Sequence, residues 1–313
     1  MTFSIMPSLQ GQKLLDLFRV VCIAWASSLS LLGQAKVCTG VSPGVRAGRR
    51  RTAKNGYIGY LLFTRKNQEL GAHRFPITEK THVLTKFTKS ILKWERAWRE
   101  KRMFRRASVE QVFTYIHQTN RWGDTESRSG KGSNLEATAH IRKVLPELLR
   151  LIGVRSLLDI PCGDFHWMQQ VELGVDEYVG ADIVADLVKH NQITYGRPGR
   201  RFVQLNLIED PLPACEVVFC RDCLVHLDFA SIALAVRNIK KSGAEYLITT
   251  TFPGLDRNRN KLTGKFRPLN LALEPFNWPQ PMELIDECLG QERYQGKRKS
   301  LGLWRIDDIE PPS

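Results

Sequence analysis

The sequence predicts an α/β fold, a doubly wound and mostly parallel sheet behind a basic N-terminal extension. Three observations carry that reading. From about residue 107, short apolar runs alternate with segments of helical period, the pattern of successive βαβ units. The runs themselves lack polar alternation, as strands covered on both faces require. The charge is also lopsided: residues 1 to 106 hold 21 of the 46 Lys and Arg but only five of the 32 Asp and Glu, whereas the following 207 hold 25 basic and 27 acidic side chains. The formal net charge of +14 therefore belongs to the first third, where any attraction to phosphate or anionic lipid would reside.

A chain of 313 residues, 42% hydrophobic and 25% charged, can bury a large core and is no disordered polyelectrolyte. Its 23 Gly and 15 Pro exclude collagen-like or low-complexity architecture, and the lack of any run of 18 uncharged apolar residues excludes a polytopic membrane protein. The seven cysteines (Cys22, Cys38, Cys162, Cys215, Cys220, Cys223 and Cys288) are an odd number and read as reduced thiols, in keeping with a cytoplasmic setting. Cys220 and Cys223 form a lone C-x-x-C without the second pair or spaced histidines that a zinc site wants, so no metal is expected.

Residues 1 to 85 read as a loosely ordered extension. Within it, Val20 to Ala35 is uncharged between Arg19 and Lys36, short for a membrane span and the length of a signal h-region. The acid-poor flank with Arg49, Arg50 and Arg51 would also suit an organelle transit peptide, while Asp16 weakens a secretory signal or anchor, and an extension with no address or an uncleaved anchor is slightly favoured. Residues 86 to 106 place Ile91, Trp94 and Trp98 at near-helical spacing on a cationic segment. That is a basic amphipathic helix: a solvated face on the following domain, or a contact for a membrane surface or polyanion.

The folded domain is expected over residues 107 to 313. Ser133-Asn134-Leu135-Glu136 has the capping-box pattern and predicts a helix running from there towards Leu145. Pro146 suits the first turn of a second short helix, which Gly153 ends. Val154 to Ile160 is the first buried strand, Tyr178 to Ile183 the second, Arg201 to Leu205 the third, Glu216 to Cys220 the fourth and Tyr246 to Phe252 the fifth. Ile232, Ala235, Val236 and Ile239 fall at i, i+3, i+4, i+7 behind Asp228, an N-cap, and Gly243 ends that helix. Residues 253 to 281, rich in Arg, Asn, Pro and aromatics, read as a long connection that shapes access above the sheet. Leu301 to Ile306 is a late strand.

In open parallel sheets, ligands bind outside the carboxyl ends of the strands. The first such end carries Asp159-Ile160-Pro161-Cys162-Gly163-Asp164-Phe165, where Gly163 allows close backbone approach. The second carries Gly180-Ala181-Asp182-Ile183, an acid 19 residues beyond Gly163, where the ribose hydroxyls of a nucleoside would sit. The third ends in Leu205-Asn206-Leu207 and the fourth in Cys220-Arg221-Asp222-Cys223-Leu224-Val225-His226.

Taken together, residues from about 113 to 307 resemble the class I S-adenosylmethionine-dependent methyltransferases. They resemble in particular an uncharacterised bacterial-type branch marked by DIPCGDF, GADIV, CRDCLVHL and a terminal KSLGLWRIDDI. The usual first motif of that superfamily is D/E-x-G-x-G-x-G; here Pro161 and Phe165 replace the first and third glycines. The resemblance implies a Rossmann-like seven-stranded sheet with an antiparallel late strand, S-adenosylmethionine as cofactor, and methyl transfer to an oxygen or nitrogen of a small molecule or glycan. It implies that Asp159 orients the first turn and receives the ligand's ammonium, with Pro161, Cys162, Gly163 and Asp164 completing that turn. Asp182 and Ile183 would hold the ribose, Asn206 and Leu207 the adenine, and Arg221 would border the cofactor. Arg128, in the Gly/Ser-rich loop before Ser133, is the candidate for the methionine carboxylate. His226 or Asp222 is the candidate base.

Plainer readings stand beside these. Asp159 could be a buried turn-former, Asp182 an exposed strand-end acid, Asn206 a turn residue before Asp210-Pro211, His226 a structural histidine and Arg128 part of an ordinary linker. At the level of function the alternatives are a non-catalytic nucleotide-binding module with a polyanion- or membrane-binding basic arm, and an NAD-dependent oxidoreductase. Phe165, standing where a pyrophosphate would approach, argues against the latter. No specific nucleic-acid partner is expected.

Overall fold

The computed structural model describes residues 78–287 and 298–312, so the apolar segment at 20–35 lies outside the described residues. Among them no helix is long and apolar enough to cross a membrane. Helix α1 spans Thr78–Phe104 and contains most of the expected basic helix. Trp94 and Trp98 are half exposed on it, but its last turn faces inward. Glu100 is buried between Arg121 and Lys265, and Phe104 packs with Val112 and Ile116. Helix α2, Val109–Gln118, opens on a capping box: Gln111 N–H donates to Ser108 Oγ at 3.2 Å and Ser108 N–H donates to Gln111 Oε1 at 3.0 Å.

The helix expected at Ser133 is not there. Residues 134–140 form turns in which Asn134 Oδ1 accepts the N–H of Ala137 at 2.8 Å, and one continuous helix, α3, runs Ile141–Leu151 with Pro146 inside it. Its buried stripe of Ile141, Leu145, Leu148 and Leu149 lies on both sides of the proline. Burying four such side chains, at about 1.5–3 kcal/mol each, outweighs the roughly 3 kcal/mol cost of an interior proline. A local stop signal loses to a shared apolar face.

Seven strands follow: β1 Ser156–Asp159, β2 Glu177–Asp182, β3 Arg200–Gln204, β4 Val217–Cys220, β5 Tyr246–Thr251, β6 Glu283–Asp286 and β7 Ser300–Arg305. Helix α4, Ala185–Tyr195, joins β2 to β3, and α5, Phe229–Lys241, joins β4 to β5. As expected, Asp228 caps α5, accepting the N–H of Ser231 at 2.8 Å. The sheet order is β3-β2-β1-β4-β5-β7-β6. The first five strands are mutually parallel, while β7 runs antiparallel to β5 and to β6. This is the Rossmann-like, mostly parallel seven-stranded sheet that the resemblance implies. β6 has no counterpart in the sequence reading: it is an edge strand whose Glu283 and Leu284 are exposed, so it shows no apolar run.

Consecutive residues on each strand serve two different cores. Leu158, Val218 and Leu247 face α5, whereas Leu157, Val217 and Ile248 face α3. The chain leaves β1 for β2 on one side and, after β3, returns to β4 on the other. That reversal opens a crevice at the carboxyl ends of β1 and β4.

Candidate active site

A cavity of about 440 Å³ lies at this reversal, and all thirteen residues singled out from the sequence line it. Gly163, Asp182, Asn206 and His226 thus come from four different strand ends to one hollow.

At the β1–β2 end, Asp182 accepts the Gly163 N–H on Oδ2 at 3.2 Å and the Val184 N–H on Oδ1 at 3.0 Å. Burial nevertheless pushes its pKa up to about 6. Asp159 is buried too; burial raises it to about 7, even though Tyr178 donates its hydroxyl to Oδ2 at 2.5 Å. Neither carboxyl has a salt-bridge partner among the described residues. Gly163 holds φ +56°, and a Cβ there would stand 2.2 Å from Ser129 Oγ, so a side chain would have to push Ser129 off its hydrogen bonds with Asp164. The Gly163 carbonyl is fixed from behind by Asn191 Nδ2 at 2.8 Å. Asn191 is fully buried, and the sequence reading missed it: a polar residue on a helix carries no sign of facing inward.

Asp164 lines the cavity and is also engaged by the neighbouring loop. Its carboxylate accepts the hydroxyl of Ser127 at 2.9 Å, the N–H of Arg128 at 2.8 Å and the hydroxyl of Ser129 at 3.1 Å. It fastens the 127–129 loop onto the first strand's tip. Phe165 does not stand in the cavity. It is 1% exposed and stacks on Phe202, Tyr195 and Tyr178 at 5.0, 5.2 and 5.4 Å. Phe165 therefore does not bar a dinucleotide, but two other features do. The element after Gly163 is a three-residue 3-10 turn, Met168–Gln170, which offers no helix N-terminus to a diphosphate, and the nearby Asp164 carboxylate would repel one.

Asn206 takes the plainer role as far as its own bonds go. Its N–H donates to Asp210 Oδ2 at 2.7 Å, its Oδ1 accepts the Ile208 N–H at 3.1 Å, and its amide donates to Glu209 at 3.1 Å. It shapes the turn that walls the cavity, with Leu207 buried beside it. Arg128 is exposed at the rim.

The β4 end is built on charge pairs. Arg221 donates to Glu287 Oε2 through Nε at 2.8 Å and Nη2 at 2.5 Å, and to the Gly132 carbonyl at 2.8 Å. Lys299 lies 2.6 Å from Asp222 Oδ2 and 3.2 Å from Glu287 Oε2. Burial alone would raise the pKa of Asp222, but Lys299 and Arg221 hold it at about 2. The 127–132 loop is thereby tied down at both ends, by Asp164 and by Arg221. His226 packs against Trp122 at 5.1 Å and Phe266 at 5.7 Å between ring centres. Burial lowers its pKa to about 4 despite Asp222, so the ring is neutral at physiological pH. Its Nδ1 is buried without a hydrogen-bond partner, a state that costs about 1–3 kcal/mol.

Trp122, Phe113, Phe266 and Lys299 also line the cavity and escaped the sequence reading: Trp122 and Phe266 in loops and a lysine before a late strand have no periodicity to mark them, and Phe113 on α2 reads as an ordinary core-facing aromatic. The Cys220 and Cys223 thiols are free, and no cluster of metal-ligating side chains occurs among the described residues.

No family model matches this sequence, and no curated protein does. Among solved structures the chain is similar to the methyltransferase domain of a bacterial CtHen1-C (10% identity, TM-score 0.41, covering 55% of this chain and 98% of that one). It is similar also to human N-acetylserotonin methyltransferase in complex with SAM (12% identity, TM-score 0.45, 64% of this chain and 60% of that one). A third is the N-methyltransferase NodS from Bradyrhizobium japonicum WM9 (13% identity, TM-score 0.41, 58% of this chain and 99% of that one).

Proposed function

We propose that this protein is an S-adenosylmethionine-dependent methyltransferase acting on an oxygen or nitrogen acceptor. The observation that carries the reading is the meeting of Gly163 and Asp182 in one cavity, a glycine at which a Cβ would displace Ser129 beside a buried carboxyl with no cation. A ligand bearing a positive charge and a pair of ribose hydroxyls offsets what burial of Asp159 and Asp182 costs; a diphosphate would add to that cost. The turn from Asp159 to Asp164 holds the amino-acid portion, Asp182 and Ile183 the ribose, and the Asn206 turn with Leu207 walls the adenine. Arg128, exposed at the rim, is placed for a carboxylate.

S-adenosylmethionine supplies a methyl group already activated on a sulfonium, so the protein's main task is alignment, worth up to about 7–11 kcal/mol. The neutral His226 takes the acceptor's proton, and Asp222, locked between Lys299 and Arg221, positions the β4 tip instead of acting as the base. Calorimetry with S-adenosylhomocysteine and with NAD tests the reading. Binding of the former and none of the latter is expected; NAD binding with no response to S-adenosylhomocysteine overturns it in favour of an oxidoreductase.

A further inference from the structure

We infer that the acceptor is an aromatic molecule carrying an acidic hydroxyl, bound against a row formed by Phe113, Trp122, His226 and Phe266 at the β4 end of the cavity. This rests on the methyltransferase reading and narrows it. The row is continuous, with centroid separations of 6.4 Å from Phe113 to Trp122, 5.1 Å from Trp122 to His226 and 5.7 Å from His226 to Phe266. All three contacts are tilted, the geometry in which ring edges and faces remain available to a further ring. Phe266 is 47% exposed at the cavity wall although it also touches the core residue Phe252. An aromatic side chain left half in water beside a hollow gains contact when a flat apolar ligand arrives.

The two ends of the cavity therefore ask for different chemistry. The hydroxyl-rich, charged partner belongs with Asp159 and Asp182, which leaves the aromatic row for the acceptor. A glycan would bring many hydroxyls against this row, where the neighbouring polar side chains Asp222 and Lys299 are already paired with each other, and each hydroxyl buried without a partner is unfavourable.

Proton affinity points the same way. With His226 near pKa 4, a phenol at about 10 is some six units too weak an acid, whereas an aliphatic hydroxyl, close to water at about 16, is about twelve units too weak. The smaller gap leaves less for a positioned base to bridge. In the step, a lone pair of the acceptor oxygen forms the bond to the methyl carbon while the carbon–sulfur bond breaks. The released pair stays on sulfur, which becomes a neutral thioether, and the hydroxyl proton passes to the His226 ring and then to water.

The full chain saturated with S-adenosylhomocysteine is titrated with 2-naphthol and with methyl mannoside, and radiolabelled S-adenosylmethionine is used to look for naphthol methyl ether. We expect 2-naphthol to bind and be methylated and the mannoside to do neither. Phe266→Ala and Trp122→Ala should each raise the naphthol Kd about tenfold while the S-adenosylhomocysteine Kd stays within about twofold. Phe266 is surface-exposed, so that variant reads out even if Trp122→Ala fails to fold. Equal binding of mannoside and naphthol, or wild-type naphthol affinity in Phe266→Ala with S-adenosylhomocysteine binding intact, overturns the proposal. Absence of S-adenosylhomocysteine binding in the wild type would instead sink the methyltransferase reading beneath it.

Discussion

The two ends of the cavity handle buried charge in opposite ways. At the β1–β2 end, Asp159 and Asp182 receive hydrogen bonds but no salt bridge, and burial lifts them to about 7 and about 6. At the β4 end, Asp222 is less enclosed, its side chain 24% exposed, and is held at about 2, because Lys299 and Arg221 stand against it. The difference lies in partners as well as in depth. A buried carboxyl without a cation is a cost in the free protein that a ligand's own charge and donors offset, so it marks a place built to receive something. A buried carboxyl already paired holds elements together. Glu287 and Asp222 tie β6 and β7 to the β4 tip, while Asp159 and Asp182 make no ion pair among the described residues.

The contrast can be broken most severely at His226, the uncharged group beside the paired end. His226→Gln should lower turnover by about 10² to 10⁴-fold and leave S-adenosylhomocysteine affinity unchanged by calorimetry; undiminished turnover would make the histidine structural. Next in size is Glu287→Ala, which removes the buried carboxylate that Arg221 and Lys299 share. Denaturant unfolding should show a loss of about 3–5 kcal/mol, and a loss no larger than that of a surface substitution would show that this end is not held by its charges. Asp182→Ala should raise the S-adenosylhomocysteine Kd about tenfold or more, since charge-assisted hydrogen bonds are worth about 1.5–3 kcal/mol each.

The smallest expected effect is in pH. Asp182 and Asp159 have folded pKa values raised from 3.8, so their contribution to the free protein's stability falls as pH rises from about 4 towards 7. His226, lowered from 6.5 to about 4, works the other way, its contribution being lost as pH falls through that window. On the proposed ribose-binding role of Asp182, which requires the carboxylate, S-adenosylhomocysteine should bind about tenfold more tightly at pH 8 than at pH 5. A flat profile would place the ligand away from Asp182.

The sequence by itself determined the parallel strands, the α5 helix and the strand ends that meet in the cavity. Strands covered on both faces are written as plain apolar runs, and the chain's tendency to put ligands at their carboxyl ends follows from topology alone. It did not reveal β6, whose exposed edge has no apolar signature, nor the true start of α3, where an apolar stripe spanning Pro146 overrode both a capping pattern and a proline. The roles within the site were equally hidden. The sequence could not show that Ser127 and Ser129, some 35 residues away, donate to Asp164, or that Lys299, 77 residues on, pairs with Asp222. Phe165 seemed to block the cavity, yet it is buried among Tyr178, Tyr195 and Phe202. Periodicity records what a residue's neighbours in the chain require, whereas the protonation and duty of a buried charge depend on which distant side chain the sheet order sets beside it.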